Sequence, residues 1–366
     1  MKIKYIESIV LKRKLKIPRK NSFGVQKSRS SFFIKLIDSK LNEGYGEGFC
    51  NWPSFSADYR NKYIKNLFEP LVKNYEFEHP EQLYNYLKEK TERIKIQSGD
   101  NGAIHHCIAA IDIAAWDLYA KLKKKPLRNI LYDKSKFKIP LYASGLTINN
   151  FKKFLPKIKK YKFKYIKIKV GFKEEEDLKF LKIVSKLKFK FIMVDANQAW
   201  GCDEAIRRIK SLKKIRKLYW VEEPIIANAS VSKWNHLKKQ TSTKIAAGEN
   251  HYGEQQVKKY IKNSCFDFYQ PDIIKYGGIT SFLKIYKKYK KNIKKLTPHY
   301  LGSGIGLFAS AQLLSGMPPI PMEFDVTENE IRDQIFSENL KIRNGNLILN
   351  KKYGIGVNFN FKKFSS

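Results

Sequence analysis

YIKIKVGFKEEEDLKFLKIVSKLKFKFIMVDAN (residues 165–197) sets two short apolar runs, YIKIKV and FIMVDAN, on either side of a polar, Lys-rich spacer long enough for a helix. That pattern predicts a β–α–β unit. The unit recurs in LYWVEEP (218–224), KIAAGEN (244–250), FDFYQPD (266–272) and KLTPHY (295–300). Polar residues mark the series: Lys167 and Lys169, then Asp195, Glu222, Glu249, Asp272 and His299, with steps of 26, 27, 27, 23 and 27 from Lys169. If the strands are parallel and close into a barrel, their C-terminal ends meet on one face. Charges gathered there are costly to bury together unless a cation organises them, so the pattern points to a metal-dependent active site.

Working outward, IPLYASG (139–145) predicts the first barrel strand and PIPMEF (319–324) the eighth, which brings Glu323 to the same face. The region before the barrel begins with two apolar segments, 3–15 and 30–39, that read as antiparallel strands. Between them IPRKNSFGVQKS (17–28) reads as a polar loop, and GYGEGFCNWPSFS (44–56) as a second loop rich in Gly and aromatics. From about Asp58 to Lys124 the periodicity is helical, and the lysines ending GAIHHCIAAIDIAAWDLYAKLKKK (102–125) suit the negative end of a helix dipole. His105 and His106 lie in this helix as packed or surface residues. Residues 339–361 read as short strands returning to the N-terminal region. The expected organisation is a capping domain over 1–135, completed by 328–366, with a catalytic barrel over 136–327.

Composition narrows the function classes. The chain has 366 residues, a 43% apolar fraction and no run long enough to span a bilayer. Cys50, Cys107, Cys202 and Cys265 are scattered without zinc or disulfide spacing, which suits thiols in a reducing cytoplasm. The net charge of +38 invites a nucleic-acid reading, yet only 11 of the 72 basic residues are arginine, and the lysines spread over nearly every predicted helix. Dispersed lysine is a solvated-surface bias rather than a nucleic-acid footprint. A non-enzymatic, polyanion-binding barrel would predict lost ligands or blocked strand ends, whereas every polar station is present. The expected partners are a small-molecule carboxylate substrate and further copies of this chain, with no nucleic acid and no membrane.

Asp195, Glu222 and Glu249 offer three hard oxygen donors from three successive strand ends, a set that suits Mg²⁺. A lone carboxylate at a strand end is usually a helix cap or a surface ion pair; three at near-constant spacing are hard to read that way. With KIK (167–169), DAN (195–197), EEP (222–224), GEN (248–250), QPDIIKYGG (270–278) and PHYLGSGIG (298–306), the chain resembles the enolase superfamily, in its mandelate racemase subgroup. IDIAAWDLYAK in the cap and GIGV near the C-terminus agree. The resemblance implies an α/β fold, a (β/α)7β modified TIM barrel under an α+β cap, with Mg²⁺ on Asp195, Glu222 and Glu249. Asp272 stands where the muconate-lactonising group carries a catalytic lysine, three residues before Lys275, and His299 follows on the next strand. That Asp–His pairing marks the subgroup and leaves Lys275 as a structural partner.

The resemblance also implies the chemistry. A proton α to a carboxylate is removed, and Mg²⁺ stabilises the resulting enediolate; enolase-superfamily sites combine a Lys or His base with Mg²⁺ in this way. Lys169 faces one side of the substrate and His299, oriented by Asp272, the other. Lys167 beside Lys169, with the metal, is expected to lower the Lys169 ammonium pKa. Asn197 contacts a substrate hydroxyl, Glu323 hydrogen-bonds the carboxylate, and Ser144 is a further binding candidate. Loops 16–26 and 51–56 bring Arg19, Lys20, Phe23, Trp52 and Phe55 over the substrate. Reprotonation from the opposite face would make a racemase or epimerase, and loss of a β-hydroxyl a dehydratase. MEFDVTEN (322–329) is similar to a segment of a sugar-lactone cycloisomerase. Acid-sugar dehydration is the preferred reading.

Overall fold

The computed structural model describes residues 1–293, 295–357 and 359–360. An antiparallel sheet opens the chain, with β1 (Ile3–Asn21), β2 (Gly24–Asp38) and β3 (Glu43–Gly48) in that spatial order. Residues 17–28 are not a loop. After an irregularity between Lys14 and Arg19 the β1–β2 ladder resumes with Arg19 opposite Gln26, Lys20 opposite Val25 and Asn21 opposite Gly24. The face this ribbon turns inward carries Arg19, Asn21 and Gln26, while Val25 is exposed, so it lacks the apolar alternation that announces a strand. Helices follow: α1 (Ser56–Tyr63), a π-helical turn over Ile64–Phe68, α2 (Glu69–Val72), α3 (Pro80–Ser98), α4 (Asn101–Leu122) and the short α5 (Leu127–Leu131).

Helix α4 is apolar on nearly every side and correspondingly buried, lying between the cap sheet and the barrel. The glycines of GYGEG explain how closely β3 approaches it. A Cβ on Gly46 would stand 1.8 Å from the Ala110 carbonyl oxygen, and one on Gly44 2.1 Å from that of Ala114. Only glycine permits this approach, and it presses Glu47, between Gly46 and Gly48, towards the barrel.

The barrel alternates β4 (Lys138–Leu146), α6 (Ile148–Lys160), β5 (Tyr165–Lys169), α7 (Glu174–Ser185), β6 (Phe191–Asp195), α8 (Cys202–Ile215) and β7 (Val221–Glu222). It continues with α9 (Val231–Thr241), β8 (Ile245–Ala247), α10 (Glu254–Lys262), β9 (Phe268–Tyr269), α11 (Gly278–Tyr289), β10 (Lys295–Leu296), α12 (Ile305–Leu314) and β11 (Met322–Asp325). Strands β4 to β10 pair in sequence order, all parallel, and β11 pairs parallel to β4 on its other side. Eight strands and seven intervening helices make the (β/α)7β arrangement. Between β10 and β11, the Thr297 hydroxyl donates to the Pro321 carbonyl at 3.0 Å. The eighth strand starts at Met322 rather than 319, because Pro319 and Pro321 have no N–H to give a ladder.

The chain ends with α13 (Glu330–Ile335) and the strands β12 (Ile342–Arg343) and β13 (Asn346–Ile348). The β12–β13 hairpin itself joins the barrel, β13 pairing antiparallel with the start of β4. Beyond it the chain does reach the cap, where the Ile355 amide donates to Asp117 at 2.8 Å and Phe359 packs 5.0 Å from Phe33. Residues 361–366 of the expected C-terminal completion lie outside the described residues. Cys50, Cys107 and Cys265 are buried free thiols and Cys202 is half-buried. Among the described residues no helix is long and apolar enough to cross a membrane.

Candidate active site

Parallel strands in register carry their polar stations to one level: Lys169 lies opposite Asp195, and Asp195 opposite Glu222. Side chains two apart share a strand face, so Lys167 and Lys169 enter the barrel together on β5, as do Glu323 and Asp325 on β11. At the centre, Lys167 is buried against Glu222, with Glu323 at 3.0 Å and Asp195 at 3.8 Å. Burial opposes its charge, but Glu222 and Glu323 outweigh that and hold the ammonium well above its ordinary value. Lys169 stands nearer the mouth, 2.5 Å from Asp195 and 2.6 Å from the Asn197 side-chain oxygen.

Glu222 also accepts from the Trp220 indole at 3.0 Å and the Gln270 amide at 2.9 Å. Burial pushes Glu222 up to about 7; Lys167 opposes the rise, while Asp195, Glu323 and Glu249 add to it. On the other wall His299 is held from both ends, with Nδ1 2.8 Å from Asp272 and Nε2 2.9 Å from Glu249. Asp272 is itself fixed by the Ile274 amide at 2.9 Å. Burial disfavours the imidazolium, but Glu249, Glu323 and Asp272 together raise it well above its usual range. Glu323 accepts the Tyr300 amide at 3.3 Å and lies 3.7 Å from His299. Burial alone would raise Glu323; Lys167 and His299 outweigh this and lower it.

The structure therefore gathers Lys167, Lys169, Asp195, Asn197, Glu222, Glu249, Asp272, His299 and Glu323 into one cluster at the strand ends. Ser144 is buried at the end of β4, opposite Asp325 in the β4–β11 ladder. From the cap ribbon, Arg19 approaches to 3.7 Å of Asp325, which Arg29 binds directly. Ser22, at the ribbon's tip, donates to the Asn197 carbonyl at 2.7 Å, which seats the ribbon over the barrel mouth. Phe23 at the same tip is 58% exposed and meets Trp52 edge to face at 5.2 Å, while Trp52 is half-buried and packs against the main core. Lys20 sits over the Phe172 ring and Phe55 is exposed. His105 and His106 are both buried, the latter contacting Arg60 and the Tyr252 hydroxyl.

Two further groups stand at the site without having been expected from the sequence. Glu223, the second acid of EEP, is 1% exposed and turns away from Glu222 through a left-handed φ of 36°. It accepts from Asn250 at 3.1 Å and from Gln198 at 3.1 Å. Glu47 accepts from the Ser303 amide and hydroxyl and the Gly306 amide at 2.6–2.9 Å. An acid flanked by glycines in GYGEG was the available signal for the second; the doubled acid of EEP was the signal for the first.

Asp195, Glu222 and Glu249 form a donor set of hard oxygens without a thiol, which fits Mg²⁺. In this conformation the three turn to Lys169, Lys167 and His299, and among the described residues no three His, Cys, Asp or Glu side chains converge to enclose an ion. The crowding that helps raise Glu222 is what a cation would relieve.

Comparison with known proteins agrees with this architecture. The mandelate racemase / muconate lactonizing enzyme N-terminal domain family matches residues 5–131, and the enolase C-terminal domain-like family matches residues 151–363. The chain belongs to the mandelate racemase/muconate lactonizing enzyme family of the enolase superfamily, and is an enzyme of the lyase or isomerase kind. It is 29% identical over 323 residues to the arabinonate dehydratase of Saccharolobus solfataricus, covering 86% of this chain and 84% of that one. The solved 3,6-anhydro-D-galactonate cycloisomerase of Zobellia galactanivorans superposes with a TM-score of 0.86 at 28% identity, over 100% of this chain and 98% of that one. A racemase from Streptomyces coelicolor A3(2), solved with bound magnesium, shares the fold at a TM-score of 0.86 and 20% identity, over 99% of this chain and 98% of that one.

Proposed function

We propose that this enzyme uses Mg²⁺ to dehydrate an acid sugar, an aldonic or aldaric acid, by removing the proton α to its carboxylate. The observation that carries the reading is the placing of Lys169 at the end of β5 and His299 just beyond β10, with the carboxylate cluster between them. Asp195, Glu222 and Glu249 are the residues that would hold the cation. The chemistry a cation supplies there is neutralisation of the charge that develops on the substrate carboxylate as the α-proton leaves.

The chain's own groups account for the proton movements. Lys169 is steered by Asp195 and Asn197; once those contacts yield to substrate and Nζ has given up a proton to solvent, the neutral amine takes the α-proton. Asp272 occupies Nδ1 of His299, so Nε2 is the atom turned to the cavity, placed to deliver a proton to a departing β-hydroxyl. In its protonated form Glu323 donates a hydrogen bond to the substrate carboxylate; against the effect of burial, Lys167 and His299 hold it ionised in the free site, so that proton arrives with the substrate. Asn197 contacts a hydroxyl, and Ser144 lines the floor. Arg19, on the cap ribbon, takes the distal end, and Phe23 and Trp52 close over it when the ribbon tip moves. Dehydration is preferred to racemisation or lactone cycloisomerisation because of the similarity to arabinonate dehydratase. Incubating the enzyme and Mg²⁺ with a library of aldonic and aldaric acids in D₂O tests this. A 2-keto-3-deoxy product supports it; α-deuteration with inversion and no dehydration replaces it with a racemase.

A further inference from the structure

Lys275 is a buried lysine that the proton transfers do not use. Its side chain is 4% exposed, and its Nζ donates to the Asn250 side-chain oxygen at 2.7 Å. The same Nζ lies 3.7 Å from Glu249 Oε1 and 4.6 Å from the centre of the Phe49 ring, which the cap supplies. The backbone fixes that ring in turn, since the Phe49 amide donates to the Ile274 carbonyl at 2.9 Å. Asn250 completes the arrangement. Its Nδ2 donates to both oxygens of Glu223 at 3.1 Å and reaches Glu249 Oε1 at 3.3 Å. Glu223 is tied further to Gln198, whose own side-chain oxygen receives the Ala227 amide at 2.8 Å.

One oxygen of Glu249 is therefore engaged from behind by Lys275 and Asn250, while the other, Oε2, faces His299 and the cavity. We propose that Lys275, acting through Asn250, is a positioning residue that pins Glu249 Oε1 and so presents Oε2 to the divalent cation. This rests on the reading of Glu249 as a cation ligand. Ligating carboxylates depend on the partners that orient them, and loss of such a partner typically weakens metal affinity about 10–100-fold. Electrostatics alone predicts the opposite. Removing a positive charge beside the site leaves it more negative and tightens divalent binding. The sign of the change therefore separates orientation from charge.

The test is calorimetric titration of MgCl₂ into the chelator-treated full chain, with no substrate and no turnover. Lys275→Met keeps the length and loses the charge and the hydrogen bond. Asn250→Leu keeps Lys275 and removes the bridge, and serves if the first variant does not fold. Both should bind Mg²⁺ about 10–100-fold more weakly than the unmodified protein, with the near-ultraviolet dichroism of a packed core. Unchanged or tighter binding in a folded variant overturns the proposal. So does recovery of full affinity in Glu223→Gln/Lys275→Met, because Lys275 would then merely neutralise Glu223. If the unmodified protein binds no Mg²⁺, the metal assignment itself falls and takes this proposal with it. If it binds and the variants match it, only the positioning role falls.

Discussion

Glu47 of the cap strand β3 accepts the Ser303 amide at 2.6 Å, so a carboxylate from the first sheet holds the turn that follows His299. The same group accepts the Ser303 hydroxyl, the Gly306 amide and the Tyr300 hydroxyl, the last at 3.3 Å. The cap is thereby joined to the catalytic wall through a buried polar side chain, not only through apolar packing.

Glu47→Gln should consequently lose stability and activity together. An amide nitrogen cannot accept, so one side of the network is left with buried donors facing a donor. The expected cost is about 1–3 kcal/mol, the usual penalty for stranding a buried group. Glu47→Ala should cost more, since every donor is stranded. Urea unfolding midpoints measure this, and midpoints equal to the unmodified protein in both variants would contradict the proposed linkage.

The buried histidines should work against the fold in acid, opposing Glu222, which burial raises to about 7 and which is protonated in the fold first. Burial lowers His105 and His251 to about 4 and holds His106 well below its ordinary value. The unfolded chain takes up these protons near pH 6.5, the folded chain only near 4 for the first two. Between those values each histidine binds its proton in the unfolded state and not in the fold, so its own contribution to stability falls as pH drops through this window, by about 1.4 kcal/mol per pH unit. His251→Phe keeps the ring stacked 4.5 Å from Tyr260 and removes one titrating group. Its stability-versus-pH slope between pH 4.5 and 6 should be shallower by about one proton. An unaltered slope would mean that His251 is charged in the fold.

The barrel and the polar stations of its strand ends were legible because period and chemistry coincide: each apolar run ends in the group that function needs. The cap ribbon was not. Residues 17–28 form strand whose inward face is polar, Arg19, Asn21 and Gln26, so nothing in their polarity distinguishes them from a loop. Glu223 escaped for a different reason, and Lys275 was legible as a structural partner while the group it partners was not. Their roles depend on a left-handed backbone turn and on Asn250 arriving from the next strand end, and neither has a local sequence signature. The C-terminal hairpin is legible as strand but its partner is not, since two- and three-residue strands carry too little pattern to specify one.

Removal of divalent cations should abolish turnover. Dialysis against a chelator is expected to leave a folded, inactive protein that regains activity with Mg²⁺. The cation should also raise the unfolding midpoint, by the equivalent of about 2.7 kcal/mol at a hundredfold excess over its Kd. The two readouts are independent. Full activity in protein shown to be metal-free would refute the requirement.

Lys169→Ala and His299→Asn should separate the two proton transfers. Lys169 ends β5 and His299 follows β10, and they have different partners, Asp195 with Asn197 for one and Asp272 with Glu249 for the other. Losing His299 leaves Lys169 and its contacts in place. His299→Asn should therefore lose dehydration by about 10²–10⁴-fold, the range for a positioned acid or base, while still exchanging the substrate α-proton with D₂O. Lys169→Ala should lose both dehydration and exchange. Asp272→Asn keeps the imidazole but weakens the hold on Nδ1, so its activity should lie between His299→Asn and the unmodified enzyme. Proton NMR of the recovered acid and a coupled assay for the keto product follow the two events separately. Near-normal turnover by either Lys169→Ala or His299→Asn would refute the two-sided assignment. Exchange that survives in Lys169→Ala and vanishes in His299→Asn would reverse it, making His299 the base and Lys169 the acid.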